Sequence, residues 1–390
     1  MVHDIGEDRL PLPPELQLLL ALIGEADNRD PHQLVPLGID WEVFLALVKH
    51  HRVYPLVHAK LKRIGSYWLP AHTAEKIAAE YARNTFKMMH MSREMERLCQ
   101  ALNDRHIPSL VLKGPVLSEY LFGDLALRTS KDLDILVPEA DVEKAEAVLL
   151  GLGFELHEDV PRILNNWKWK SHHLSYLHRG TGIQIELHWR MNPDAMSEPP
   201  FEELWARRRT SMLTGCPVYF PGNEDLFFYL AVHGARHGWF RLRWLCDIDR
   251  LAHKPIDWKT VDSIFKTYKS KPLGGQALLL ARKLLGTPMA SGMESLCAQA
   301  SAKRTAVSAL GFIKAMEKPN PKSLSFIFYL LSLMNARQKW AYFKNRFYPS
   351  SHDAERLPLP AGLHFLYFPL RPLLWVWRHL NRQASREEAS

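Results

Sequence analysis

Over 390 residues the chain is 47% hydrophobic and 24% charged, enough apolar content for two or three domains, and this excludes disorder outside the ends. The formal charge of +8 favours anionic partners such as nucleotides, nucleic acid or a membrane surface, although Lys and Arg are scattered rather than gathered in one run. Cys99, Cys216, Cys246 and Cys297 show no Cys-x-x-Cys spacing and fit reduced thiols in a cytosolic protein.

The first residues, Met-Val-His-Asp-Ile-Gly-Glu-Asp, are acidic where a secretory signal is basic, and no cleavable apolar core follows. A cytoplasmic location is expected. Residues 1–72 read as a helical lead-in punctuated by Leu10-Pro-Leu-Pro-Pro14 and Asp30-Pro31. From Thr73 to Asp104 a long helix is predicted, with Met88, Met91, Met95, Leu98 and Leu102 at three- and four-residue steps as a core stripe. Ile107 to Gly114 reads as a short apolar strand closed by glycine, and Pro115 opens a helix through Leu121.

The next strand is Thr129-Ser-Lys-Asp-Leu-Asp-Ile-Leu-Val137. Side chains alternate across a strand, so Asp132 and Asp134 share one face while Leu133 and Ile135 fill the other. Two carboxylates held that close repel unless a cation lies between them. Glu139 to Gly151 reads as an amphipathic helix stopped at Gly151-Leu-Gly153. A hairpin follows, with arms His173–Leu177 and Ile183–Leu187 joined by the glycine-rich turn Arg179–Gly182. In its second arm Gln184, Glu186 and His188 share a face, so Glu186 is expected to face the aspartates across adjacent strands. Gly215, Pro217, Pro221 and Gly222 mark a boundary, after which Leu226–Gly238 and Leu242–Leu251 are the clearest helices.

Residues 357–380 are rich in large apolar side chains, but four prolines and Arg371 argue against a spanning helix. A peripheral membrane contact and packing on the body of the protein are the two readings of this tail. The expected division is 1–72 helical, 73–220 an α+β core, 221–350 helical, and 351–390 a Pro- and aromatic-rich tail.

Leu112-Lys-Gly114, Arg128, Asp132-Leu-Asp134 and Glu186-Leu-His-Trp189, followed by His233 and Asp247, resemble a bacterial family of uncharacterised nucleotidyltransferases within the DNA-polymerase-beta-like superfamily. The resemblance covers about residues 85–255. It implies a small mixed sheet with helices, an NTP substrate, and magnesium, or manganese in its place, held by Asp132, Asp134 and Glu186. It places the phosphates near Lys113, Gly114 and Arg128, with Glu186 as a candidate proton acceptor. One departure stands out: the usual Gly-Ser at the phosphate turn is Lys113-Gly114 here, and Ser118 lies too far along the helix to be assumed its substitute.

Other residues have two readings. Arg128 serves a phosphate or pairs with Asp132. His233 and His237, four apart on a helix, are capping or core residues, or sit beside the nucleotide with Arg236 and Arg243 as anion contacts. Asp247 and Asp249 point apart on a helix and make no second metal site. His172, His173 and His178 read as surface or strand-edge residues. Three functions are therefore expected in order: metal-dependent transfer of a nucleoside monophosphate to a hydroxyl of a small molecule, protein or RNA end; a non-catalytic nucleotide- or partner-binding module; a nucleotide-sugar-dependent glycosyltransferase. Asparagine at position 132 or 134 is expected to abolish metal-dependent binding and leave the fold intact.

Overall fold

The computed structural model describes residues 12–24, 38–157, 171–193, 197–349 and 351–374. Asp30-Pro31 and the end of the tail from position 375 onward lie outside the described residues. Helices α1 (Pro14–Ile23), α2 (Trp41–His51) and α3 (Tyr54–Ile64) precede α4 (Ala71–Asn103). The α/β part then runs β1 (Leu110–Val111), α5 (Pro115–Phe122), β2 (Leu133–Leu136), α6 (Val142–Gly151), β3 (Glu155–Leu156), β4 (His173–His178) and β5 (Ile183–His188). After α7 (Phe201–Ala206) and the hairpin β6 (Arg209–Ser211) and β7 (Val218–Phe220), the chain is helical. Its main helices there are α8 (Asn223–Arg236), α9 (Leu242–Ala252), α10 (Trp258–Thr267) and α11 (Lys271–Leu285).

The sheet order is β1-β2-β5-β4-β3, with β2 and β5 parallel and the other neighbours antiparallel, so the fold is α+β with a small mixed sheet. Alternation along the strands assigns each side chain to one of two cores. Leu133, Ile135, Ile183, Ile185 and Leu187 pack with the stripe Met88, Met91, Met95, Leu98 and Leu102 of α4, while Leu110, Leu112 and Leu136 join a larger core with α1, α2, α8, α9 and α11. The faces of Asp134 and Glu186 consequently look toward the helical body, not toward α4.

The predicted strand 107–114 is ordered as a strand only at Leu110–Val111, although Leu112 N–H still donates to Asp134 O at 2.9 Å. The chain then turns at Gly114, whose φ of +111° and whose missing Cβ, which would lie 2.9 Å from Leu133 Cδ2, both require glycine. A second tight turn follows α8. Trp239 folds back over Gly234, where a Cβ would meet its ring at 2.3 Å, and this reversal sets α9 against α8.

All four cysteines are free and buried. The tail forms a small cluster of its own, with Ala354, Tyr367 and Leu374 buried and Tyr367 Oη donating to Leu357 O, while Leu363, Phe365, Phe368 and Leu373 stay exposed. Among the described residues no helix is long and apolar enough to cross a membrane.

Candidate active site

Parallel pairing sets Asp134 directly opposite Glu186, with Asp132 one residue before the start of β2. The three carboxylates line a cavity of about 540 Å³ between the sheet and the α8–α9 pair. Lys113 Nζ lies 3.3 Å from Asp134 Oδ1, and His188 Nε2 lies 3.1 Å from that oxygen and 3.4 Å from Glu186 Oε2. Asp134 Oδ2 is buried with no hydrogen-bond partner among the described residues.

The electrostatics follow from this crowding. Burial and the repulsion of Asp134 and Glu186 push Asp132 up to about 6. Burial also opposes ionisation of Asp134, but Lys113 and the His188 hydrogen bond outweigh it and hold the carboxyl below its ordinary range. For His188 burial would lower the pKa, yet hydrogen bonds to Asp134 and Glu186 win and raise it to about 9. Lys113 and His188 thus stand as internal counter-charges to the carboxylates.

The opposite wall is basic and aromatic. His233 and Arg236 come from α8, Arg243 and Trp244 from α9, and Arg241 from the segment just before it. Arg52, from the left-handed turn that ends α2 at φ 57°, completes the rim. Burial and the nearby Arg128 and Arg52 lower Arg243 to about 9, while its Nη1 donates to Thr129 O at 2.6 Å. His233 and His237 are held neutral, first by burial and then by Lys113 and the surrounding arginines.

Among the residues singled out from sequence, Asp132, Asp134, Glu186, Lys113, His233 and Arg243 meet at this one cavity. Gly114 shapes the turn that presents Lys113. Arg128 does not reach the cavity: it is 2% exposed and makes a bidentate pair with Asp247, Nε to Oδ1 at 2.8 Å and Nη2 to Oδ2 at 2.9 Å. It pairs with neither Asp132 nor open space for a phosphate, because α9 packs against the entry to β2 and supplies the carboxylate. Ser118 is likewise structural, donating to Asp124 O and Leu125 O and accepting from Arg128 N–H. Asp249 accepts from Thr287, so Asp247 and Asp249 do point to separate partners.

His172 and His173 are half-buried and not simply surface residues: both line the cavity, and His173 is the cross-strand partner of His188. His178, next to the turn, packs edge-on against Phe154 instead. The signal for His173 lay in the hairpin: once the turn 179–182 is fixed, counting back along both arms pairs 173 with 188. For Arg52 no sequence signal exists, since the whole five-stranded sheet lies in sequence between it and the helices it joins.

A model of a family described as "Uncharacterised nucleotidyltransferase" matches residues 38–286. No curated protein matches the chain. Among solved structures, the solution structure of the antibiotic-resistance factor ANT(2'')-Ia is similar over 48% of this chain and 94% of that chain, at 12% identity and a TM-score of 0.35.

Proposed function

The chain belongs to that family of uncharacterised nucleotidyltransferases, and from this premise we propose that it transfers a nucleoside monophosphate from an NTP to an acceptor hydroxyl, using a divalent ion at Asp132, Asp134 and Glu186. The observation that carries the proposal is the buried Oδ2 of Asp134, without a hydrogen-bond partner among the described residues, in register with Glu186 on the neighbouring strand. A buried carboxylate oxygen without a donor is costly, and a cation is its natural partner. All-oxygen donors fit magnesium or manganese. Bound there, such an ion supplies charge neutralisation at the transferring phosphoryl group.

The chain's own residues do the rest. Arg52, Arg241 and Arg243 oppose the triphosphate charge from the helical wall, and Lys113 does so from the Gly114 turn. In the proposed reaction the acceptor oxygen bonds to the α-phosphorus as the bond to the bridging oxygen breaks. Pyrophosphate leaves, and the hydroxyl proton passes to a site carboxylate, with Glu186 as the candidate. The exposed Phe365, Phe368 and Leu373 are what a peripheral membrane contact of the tail would use, and co-sedimentation with anionic vesicles tests it.

One observation favours a second reading, a non-catalytic nucleotide-binding module: Lys113 and His188 already neutralise Asp134. Calorimetric titration of ATP, GTP, CTP and UTP with and without magnesium, on the wild type and Asp132→Asn, separates the cases. Magnesium-dependent binding that the variant loses, followed by pyrophosphate release with an acceptor, supports transfer. Binding without pyrophosphate release on any hydroxyl acceptor supports the module, and equal binding by both proteins removes the metal assignment.

A further inference from the structure

Beside the carboxylates lies a second set of donors that nucleotidyl transfer does not use. His172, at the head of β4, His173 on β4 and His188 on β5 bring one ring nitrogen each to within 4.8 Å of the others. His172 Nε2 and His173 Nδ1 are 3.3 Å apart, and the His173 and His188 ring centroids are 4.8 Å apart. Two ligands on a tetrahedral ion with metal–nitrogen bonds of about 2.0–2.1 Å stand roughly 3.3 Å from each other, the spacing of the first pair. His188 Nδ1 lies 3.3 Å from Arg190 O. A ring N–H donated to that backbone carbonyl fixes the imidazole from the Nδ1 side, and a cation at Nε2 would displace the proton that Nε2 shares with Asp134 and Glu186.

We propose that His172, His173 and His188 form a second cation site, taking an imidazole-preferring transition ion such as zinc, cobalt or nickel, next to the carboxylate site. Neutral imidazole nitrogens suit these ions, whereas magnesium prefers the oxygen donors of Asp132, Asp134 and Glu186. Glu186 Oε2 lies 3.4 Å from His188 Nε2 and 3.7 Å from His173 Nε2, the ring nitrogen that does not meet His172, and it adds negative charge beside the cluster. Arg190 and Arg236 face His172 and oppose a cation, while Glu186 and Asp134 face His173 and favour one. His188 Nε2 lies 3.1 Å from Asp134 Oδ1 and 3.4 Å from Glu186 Oε2, so the two sites adjoin. The assignment stands on the imidazoles alone and does not require the nucleotidyl-transfer reading.

The test uses the full chain, stripped with a chelator and titrated with cobalt(II) alone, followed by calorimetry and by the visible absorption of the bound ion. One equivalent is expected to bind, to yield to zinc, and to resist a large excess of magnesium. His172→Gln and His173→Gln, each verified as folded by its unfolding transition, are expected to weaken cobalt binding at least about 100-fold, since even outer partners of metal ligands carry 10–100-fold effects. Asp132→Asn is expected to keep cobalt binding. No uptake, displacement by magnesium, unchanged uptake in both histidine variants, or loss in Asp132→Asn would each overturn the site. Cobalt uptake with no magnesium-dependent NTP binding would leave this site standing and remove the proposed function, so the two failures are distinct.

Discussion

The two walls of the cavity are built by different physics. On the sheet side, Asp134, Glu186, His173 and His188 are fixed by strand alternation and pairing register, with Asp132 one residue ahead of β2 and their apolar neighbours locked against α4. On the helical side, Arg52, His233, Arg241 and Arg243 converge from segments nearly two hundred residues apart, stapled by side-chain contacts to backbone. His50 Nε2 meets Phe240 O at 2.9 Å, Arg241 Nη1 donates to His50 O at 3.0 Å, and Leu242 N–H donates to His51 Nδ1 at 3.2 Å. The sheet wall holds its ligands by repetition, and the helical wall holds its cations by individual contacts.

The largest effect is expected where the walls are bolted together. Arg128→Met leaves Asp247 buried without its bidentate partner, and breaking one side of a buried pair costs about 3–5 kcal/mol. Denaturant unfolding measures this. Arg128→Met with Asp247→Leu should regain most of the loss, because replacing both partners by apolar side chains removes the stranded charge. A single variant as stable as wild type would show that the two walls are not coupled through this pair.

Next comes Asp132→Asn, expected to lower transfer by on the order of 10³-fold with the fold intact, as removal of a group that stabilises the reacting charge does. Asp132 is the carboxylate that burial and its neighbours push toward protonation, so a neutral amide relieves repulsion. Asp134→Asn differs. It strips Lys113 and His188 of their shared partner, and unfolding should show a loss of about 1–3 kcal/mol. The two aspartates are alike in sequence and unlike in structure, so the same replacement is expected to cost more stability at 134 than at 132.

That pair also shows how far the sequence carries. Asp132, Asp134 and Glu186 were legible because period-two alternation and a glycine-marked hairpin fix which face each side chain takes. The Met stripe of α4 was legible from its helical steps. For Arg128 the sequence leaves a phosphate and an ion pair both open and names the wrong carboxylate for the pair, because its partner, Asp247, lies more than a hundred residues away on α9 and no local pattern reports such a pairing. Arg52 and Arg241 carry no signal for the same reason. His172 and His173 were readable from the hairpin register and were missed because a histidine at a strand edge is ordinarily a surface residue.

On the helical wall, Arg243→Gln should weaken NTP binding about tenfold, or about 1.4 kcal/mol, and flatten its salt dependence. Calorimetry at two ionic strengths reads both. Arg243 also donates to Thr129 O, so a drop in affinity with no change in salt dependence would assign it to positioning β2 instead of meeting phosphate.

The smallest effect tests the staple behind that wall. His51 is fully buried, its Nδ1 accepts the Leu242 N–H, and burial, with His50 and Arg241 adding repulsion, lowers its pKa to about 3. The unfolded chain binds a proton there below about pH 6.5 and the folded chain does not until about pH 3. Stability from this group is therefore complete above pH 6.5 and is lost as the pH falls through that window. Between pH 7 and 6 the loss is about 0.7 kcal/mol, steepening to about 1.4 kcal/mol per unit below. His51→Asn keeps an acceptor for Leu242 N–H but cannot titrate, so its stability should fall less steeply with acid than the wild type's. Because the readout is a slope, a uniform destabilisation of the variant does not obscure it, and identical slopes would mean that His51 is protonated in the fold and that the staple between α2 and α9 is made some other way.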